Sequence, residues 1–117
     1  MFEEAMLLLE QPTPQVEELP RRIEALNICA FDVQSRITDL QDACSVIEEQ
    51  ATAEAATESN ADKRKVKRCE LLREDAEYNH QQAEIRNLER IRCCLQERSH
   101  RHARELRLYI AEKGAQL

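Results

Sequence analysis

The segment Cys93-Cys94-Leu95-Gln96-Glu97-Arg98-Ser99-His100-Arg101-His102 gathers the residue types most able to hold a metal. On a helix Cys93, Glu97 and His100 fall at i, i+4 and i+7, hence on one face, and thiolate, carboxylate and imidazole all ligate zinc. Arg90, Arg101 and Arg104 lie near that face and oppose a cation, and no Cys-x-x-Cys spacing accompanies it. Neither a metal centre nor any other cofactor is therefore expected. His102 falls on an apolar stripe between Leu95 and Tyr109, where a polar notch fixes the register of helix pairing. A pH-sensitive role for it is the sharper alternative. Cys44 lies on an apolar stripe and reads as a small core residue, as does Cys69. Cys93 and Cys94 are adjacent and cannot both face inward, so one of them is expected to be exposed.

Enzymatic chemistry has no other foothold. The chain has no Gly-rich phosphate loop, no nucleophile elbow and no His-Glu-x-x-His. Carboxylates abound, but acid–base work needs an enclosure that shifts their pKa, and a chain with two Phe, two Tyr and no Trp builds little enclosure. The expectation is a non-enzymatic binding protein.

Charge supplies the candidate binding surfaces. The formal net charge is −6, yet residues 1–57 hold 12 acidic against 3 basic side chains, while residues 58–117 hold 11 acidic against 14 basic. This asymmetry fits either two antiparallel helices complementing each other or a basic half that touches nucleic acid. Asp32, Asp39, Asp42, Glu48 and Glu49 make the acidic face, suited to a protein that normally holds DNA, because ordered carboxylates can occupy phosphate positions. Lys63, Arg64, Lys65, Lys67 and Arg68 make the basic cluster that would neutralise phosphates, and Arg98, Arg101, Arg104 and Arg107 form a second row. Neither row is interleaved with aromatics, so stacking on single-stranded bases has little support.

The elements that must position these residues are helices. Between Pro20 and Gly114 the chain has neither glycine nor proline, and strand-forming residues are sparse. Residues 2–10 predict a short amphipathic helix ended by Pro12 and Pro14. The first long helix spans residues 15–55. Val16, Leu19, Ile23, Leu26, Ala30, Val33, Ile37, Leu40, Cys44, Ile47 and Ala51 follow a 3,4 alternation along it, the narrow seam of a coiled coil. Pro20 is tolerable in its first turn. Periodicity fades over Thr52–Asn60, where Ser59 or Asn60 can cap a new helix; a single bent helix is the alternative. The second helix is expected over residues 60–113, its stripe including Leu71, Tyr78, Ile85, Leu88, Leu95, His102, Leu106 and Tyr109.

Together these predict one all-α domain over residues 1–117: a long antiparallel helical hairpin with a short N-terminal helix. Pairing with a second copy would give a dimeric four-helix bundle. The core residues are expected to be Ile23, Leu26, Val33, Ile37, Leu40, Ile47, Ile85, Leu88, Leu95 and His102. The second helix should overhang the first, and Phe2–Leu9 is expected to fold back on that overhang, pairing Glu3 and Glu4 with Arg101, Arg104 or Arg107. Five cysteines, three glutamates where a signal peptide would be basic, and no long apolar span predict a soluble cytoplasmic protein with no membrane contact.

One segment carries a family likeness. Ser59-Asn60-Ala-Asp-Lys-Arg64-Lys65, followed by Leu71-Leu72-Arg-Glu-Asp75-Ala-Glu77-Tyr78, resembles small helical accessory proteins of temperate phages, prophages and other mobile elements. The resemblance covers residues 59–78, and beyond them only the helix's general character. It implies an accessory or inhibitory role toward a protein partner such as a nuclease or recombination factor, with residues 59–78 as a turn-and-recognition region. A nucleic-acid-binding accessory using residues 63–68 and a structural coiled-coil adaptor are the alternatives.

Overall fold

A computed structural model describes residues 2–115. Every regular element is helical, and no strand occurs among the described residues. The elements are α1 (Glu3–Glu10), a 3₁₀ turn (Val16–Glu18), α2 (Leu19–Ala55), α3 (Ala61–Glu74) and α4 (Ala76–Ala115). They divide into two compact units, Met1–Ser35 with Leu88–Leu117, and Arg36–Asn87.

In the first unit, Leu19, Leu26, Cys29, Ala30 and Val33 of α2 are buried together with Leu88, Leu95, Ser99 and His102 of α4; Ile23 is half-buried. Two polar ties fix the register. Ser99 Oγ donates to Asn27 Oδ1 at 2.7 Å, and Arg92 donates to Gln34 Oε1. The proline-bearing connector is held by Arg22, whose Nη1 donates to the Pro12 carbonyl at 3.4 Å. The N-terminal segment falls in the unit that also holds the end of α4, but the ion pairs expected of it are not formed among the described residues. α1 lies beside α2, the two sharing a groove lined by Glu4, Leu7, Leu8 and Gln11 on one side and Ala25, Ile28, Cys29 and Asp32 on the other, and Ala5 is fully buried. Among the described residues, no ion pair joins Glu3 or Glu4 to Arg101, Arg104 or Arg107. Apolar contact at Ala5 sets the docking of α1, which solvated glutamates do not direct.

In the second unit, Ile37, Leu40, Cys44, Ala51 and Ala55 of α2 are buried with Ile85 of α4, and Ile47 is half-buried. α3 contributes no buried residue. Arg36 pairs with Glu84 at 3.4 Å and Arg68 with Glu48 at 3.5 Å, while Cys44 Sγ donates to Gln81 Oε1 at 3.4 Å. The turn falls at residues 56–60, which sets aside the single bent helix. No described residue has a positive φ, so the reversal is made in right-handed and extended backbone and needs no glycine. Asn60 caps α3, its Oδ1 accepting from Lys63 N at 2.9 Å, and Arg64 Nε closes the turn onto the Glu58 carbonyl at 3.1 Å.

The second helix is not continuous over residues 60–113. It breaks at Asp75, whose backbone is extended (φ −78, ψ 105). Asp75 Oδ1 accepts from Tyr78 N at 2.8 Å, a local bond that competes with helical continuation and starts α4 afresh. The carbonyls freed at the end of α3 are recovered by Asn79, whose Nδ2 donates to Arg73 O at 2.8 Å and Leu72 O at 3.4 Å. The first helix likewise begins later than residue 15, because Val16–Glu18 is a 3₁₀ turn and Pro20 lies in the first turn of α2. Replacing Asp75 with Ala is predicted to cost about 1 kcal/mol in urea denaturation through loss of the cap. An unchanged midpoint would mean that the break does not depend on this side chain.

Candidate functional site

The acidic residues separate by unit. Asp32 sits at the α1–α2 groove of the first unit. In the second unit Asp39, Asp42 and Glu49 are exposed at spacings that keep them on one face of α2, with exposed Val46 among them. No hydrogen bond or ion pair engages Asp39, Asp42 or Glu49 among the described residues. Glu48 stands apart: half-buried, it accepts from Arg68 across the turn and lies close to Tyr78, whose hydroxyl pKa burial raises and Glu48 raises further.

The basic cluster is more engaged. Arg64 is committed to the Glu58 carbonyl, and Arg68 reaches both Glu48 and, at 2.9 Å through Nε, Thr52 Oγ1. Lys63 and Lys67 share their surface with Glu58, Asp62, Val66 and Glu70, while Lys65 is exposed. Cations interleaved with carboxylates present a mixed surface to a phosphate backbone. Much of the segment 59–78 is accounted for by architecture: Asn60 and Asp75 are caps, and Arg64 and Arg68 tie the turn.

His102 is 1% exposed, and its Nδ1, 3.6 Å from Glu105 Oε2, has no hydrogen-bond partner. Ser99, one turn earlier, is buried but satisfied by Asn27. Ser99, four residues after Leu95 and three before His102, falls on the same stripe; its partner is not readable in the sequence, because Asn27 lies outside the α2 seam.

Cysteine placement differs from expectation at two points. Cys44 is buried, but Cys69 is exposed, since it lies on the outer face of α3, and Cys93 and Cys94 are both exposed. Cys29, outside the seam, is buried beside the α1 groove. Burial pushes the Cys29 thiol up, Glu4 and then Asp32 adding to it, and burial likewise raises Cys44. Among the described residues, no group of three or more His, Cys, Asp or Glu is placed to hold a metal, and none of the helices is long and apolar enough to cross a membrane.

No family model matches the chain, and no curated protein or solved structure matches it.

Two outcomes follow. Substituting His102 with Leu removes a buried nitrogen that has no hydrogen-bond partner and is predicted to raise stability by about 1 kcal/mol in chemical denaturation. A loss of similar size would show that the imidazole has an undetected polar role. A thiol reagent at mildly alkaline pH should modify Cys69, Cys93 and Cys94 quickly and Cys29 and Cys44 only as the fold opens. Both raised pKa values act in the same direction: keeping these thiols neutral contributes stability that is present below the ordinary thiol pKa and lost as pH rises through the raised values. Five equally fast thiols would contradict the burial of Cys29 and Cys44.

Proposed function

We propose that this chain is a non-enzymatic interaction protein of phage or mobile-element type. Its acidic face docks on the basic surface of a nucleic-acid-processing protein and inhibits it by occupying phosphate positions. The observation that supports this most is the contrast between the two charged regions. Asp39, Asp42 and Glu49 stand exposed on one face without a partner among the described residues, while Arg64 and Arg68 are spent on the turn. A row of carboxylates on a rigid helix is pre-organised, so little ordering cost accompanies docking. Val46 adds an apolar point of contact within the row.

The likeness over residues 59–78 agrees with an accessory role and points to a nuclease or recombination factor as the partner class. Direct nucleic-acid binding is the weaker reading, because Glu58, Asp62 and Glu70 are mixed among the lysines. A purely structural adaptor is the remaining alternative.

The test is displacement of labelled DNA from a set of nucleases and recombination proteins, with the chain as competitor at two salt concentrations. Displacement from at least one of them, weakened by salt and by about a hundredfold in the D39K/D42K/E49K variant at unchanged helicity, is the expected result. Displacement that the triple variant retains would overturn the acidic-face reading. Salt-sensitive binding of DNA by the chain itself would move the function to Lys63, Lys65 and Lys67.

A further inference from the structure

The groove between α1 and α2 is built from two matching helical faces. Glu4, Leu7, Leu8 and Gln11 stand at i, i+3, i+4 and i+7, and so do Ala25, Ile28, Cys29 and Asp32. Its apolar walls are left open: Leu7 is 58% exposed and Ile28 56%, and Phe31, one turn beyond Ile28, is 71% exposed. Two such ridges with a channel between them are suited to receive an amphipathic helix. The rim is acidic. Residues 1–35 carry seven acidic against two basic side chains, and Glu4 and Asp32 both bear on the Cys29 thiol with no cation paired to either among the described residues.

The other end of the same unit has the opposite character. Residues 98–113 carry five basic against two acidic side chains. On α4, Arg101, Arg104, Leu108 and Ala111 stand at i, i+3, i+7 and i+10, and all four are exposed, Leu108 at 65%. Arg101, Arg104 and Arg107 have no ion-pair partner among the described residues. The chain thus holds an apolar groove with an acidic rim and an apolar ridge with a basic rim, and among the described residues no ion pair joins the two.

We propose that the groove seats the end of α4 from a second copy of this chain. Leu108 enters between Leu7 and Ile28, and Arg101 and Arg104 meet Glu4 and Asp32. Each copy offers one groove and one ridge, so two copies can close the contact reciprocally. The apolar core of the unit, Leu26, Val33, Leu88 and Leu95, is already covered within one chain, so the pair forms without opening it. This pairing is independent of the acidic face at Asp39, Asp42 and Glu49.

Sedimentation equilibrium of the full chain across the micromolar range tests it, with two charge-reversed variants, E4R/D32R and R101E/R104E. The wild type is expected at twice the 13.6 kDa chain mass, dissociating more readily as salt rises. Each variant alone sets like charges against each other and should weaken pairing by about a hundredfold. Mixed in equal amounts they should pair again, because in the mixed pair both contacts have opposite signs. L108S, which changes no charge, should weaken pairing alone, and circular dichroism checks that every variant keeps its helix content. A monomeric wild type would overturn the proposal and leave the groove to a basic helix of another protein. So would a dimer that survives both reversals, or reversals that the mixture fails to rescue.

Discussion

α2 carries an apolar residue at every third or fourth position over most of its length, and a helix cannot cover its own apolar row. Leu26 and Val33 in one unit, and Ile37, Leu40 and Cys44 in the other, leave water only because α4 returns alongside, bringing Leu88 and Leu95 to the first unit and Ile85 to the second. The rest answers to that requirement. The reversal at residues 56–60 has to turn the chain back, the Arg68 contacts to Glu48 and Thr52 brace the turn, and Ser99 bonding Asn27 sets which turn meets which. Polar groups here serve register, and apolar area supplies the stability.

The seam was legible because periodicity reports burial directly. The 3,4 spacing through Leu26, Val33, Ile37 and Leu40 required one covered face, and that face is covered. The turn was legible through the fading of the pattern and through Asn60. The break at Asp75 was not, although its signal was present: an Asp followed by Ala-Glu reads as a helix start. It was masked because Leu71, Tyr78 and Ile85 continue by sevens across it. The ion pairs expected of α1 are absent among the described residues for a different reason. Charge complementarity favours contact between Glu3 or Glu4 and the distal arginines, but a mobile surface pair is weak beside burial of Ala5.

Of the candidate surfaces, the sequence located the charges without their partners. Asp39, Asp42 and Glu49 look no different in the sequence from Glu48, yet Glu48 alone is drawn into the turn by Arg68. Lys63 to Arg68 reads as a single basic run, but a helix distributes it around its circumference, turning Arg68 toward α2 and leaving Lys63 and Lys67 on a surface shared with Asp62 and Glu70. Cys29 was missed because the face it occupies becomes interior only once α1 is laid against it.

Because α3 is set off by the turn at one end and by the break at Asp75 at the other, and owns no buried residue, little apolar area of its own holds it to its unit. Its half-buried residues are Lys67, Arg68, Leu71 and Leu72, and Arg68 ties it to α2 through Glu48 and Thr52. Substitutions along its outer face therefore cost the fold little, which makes α3 the stretch where the surface chemistry of this molecule is freest to diverge while the architecture stays constant.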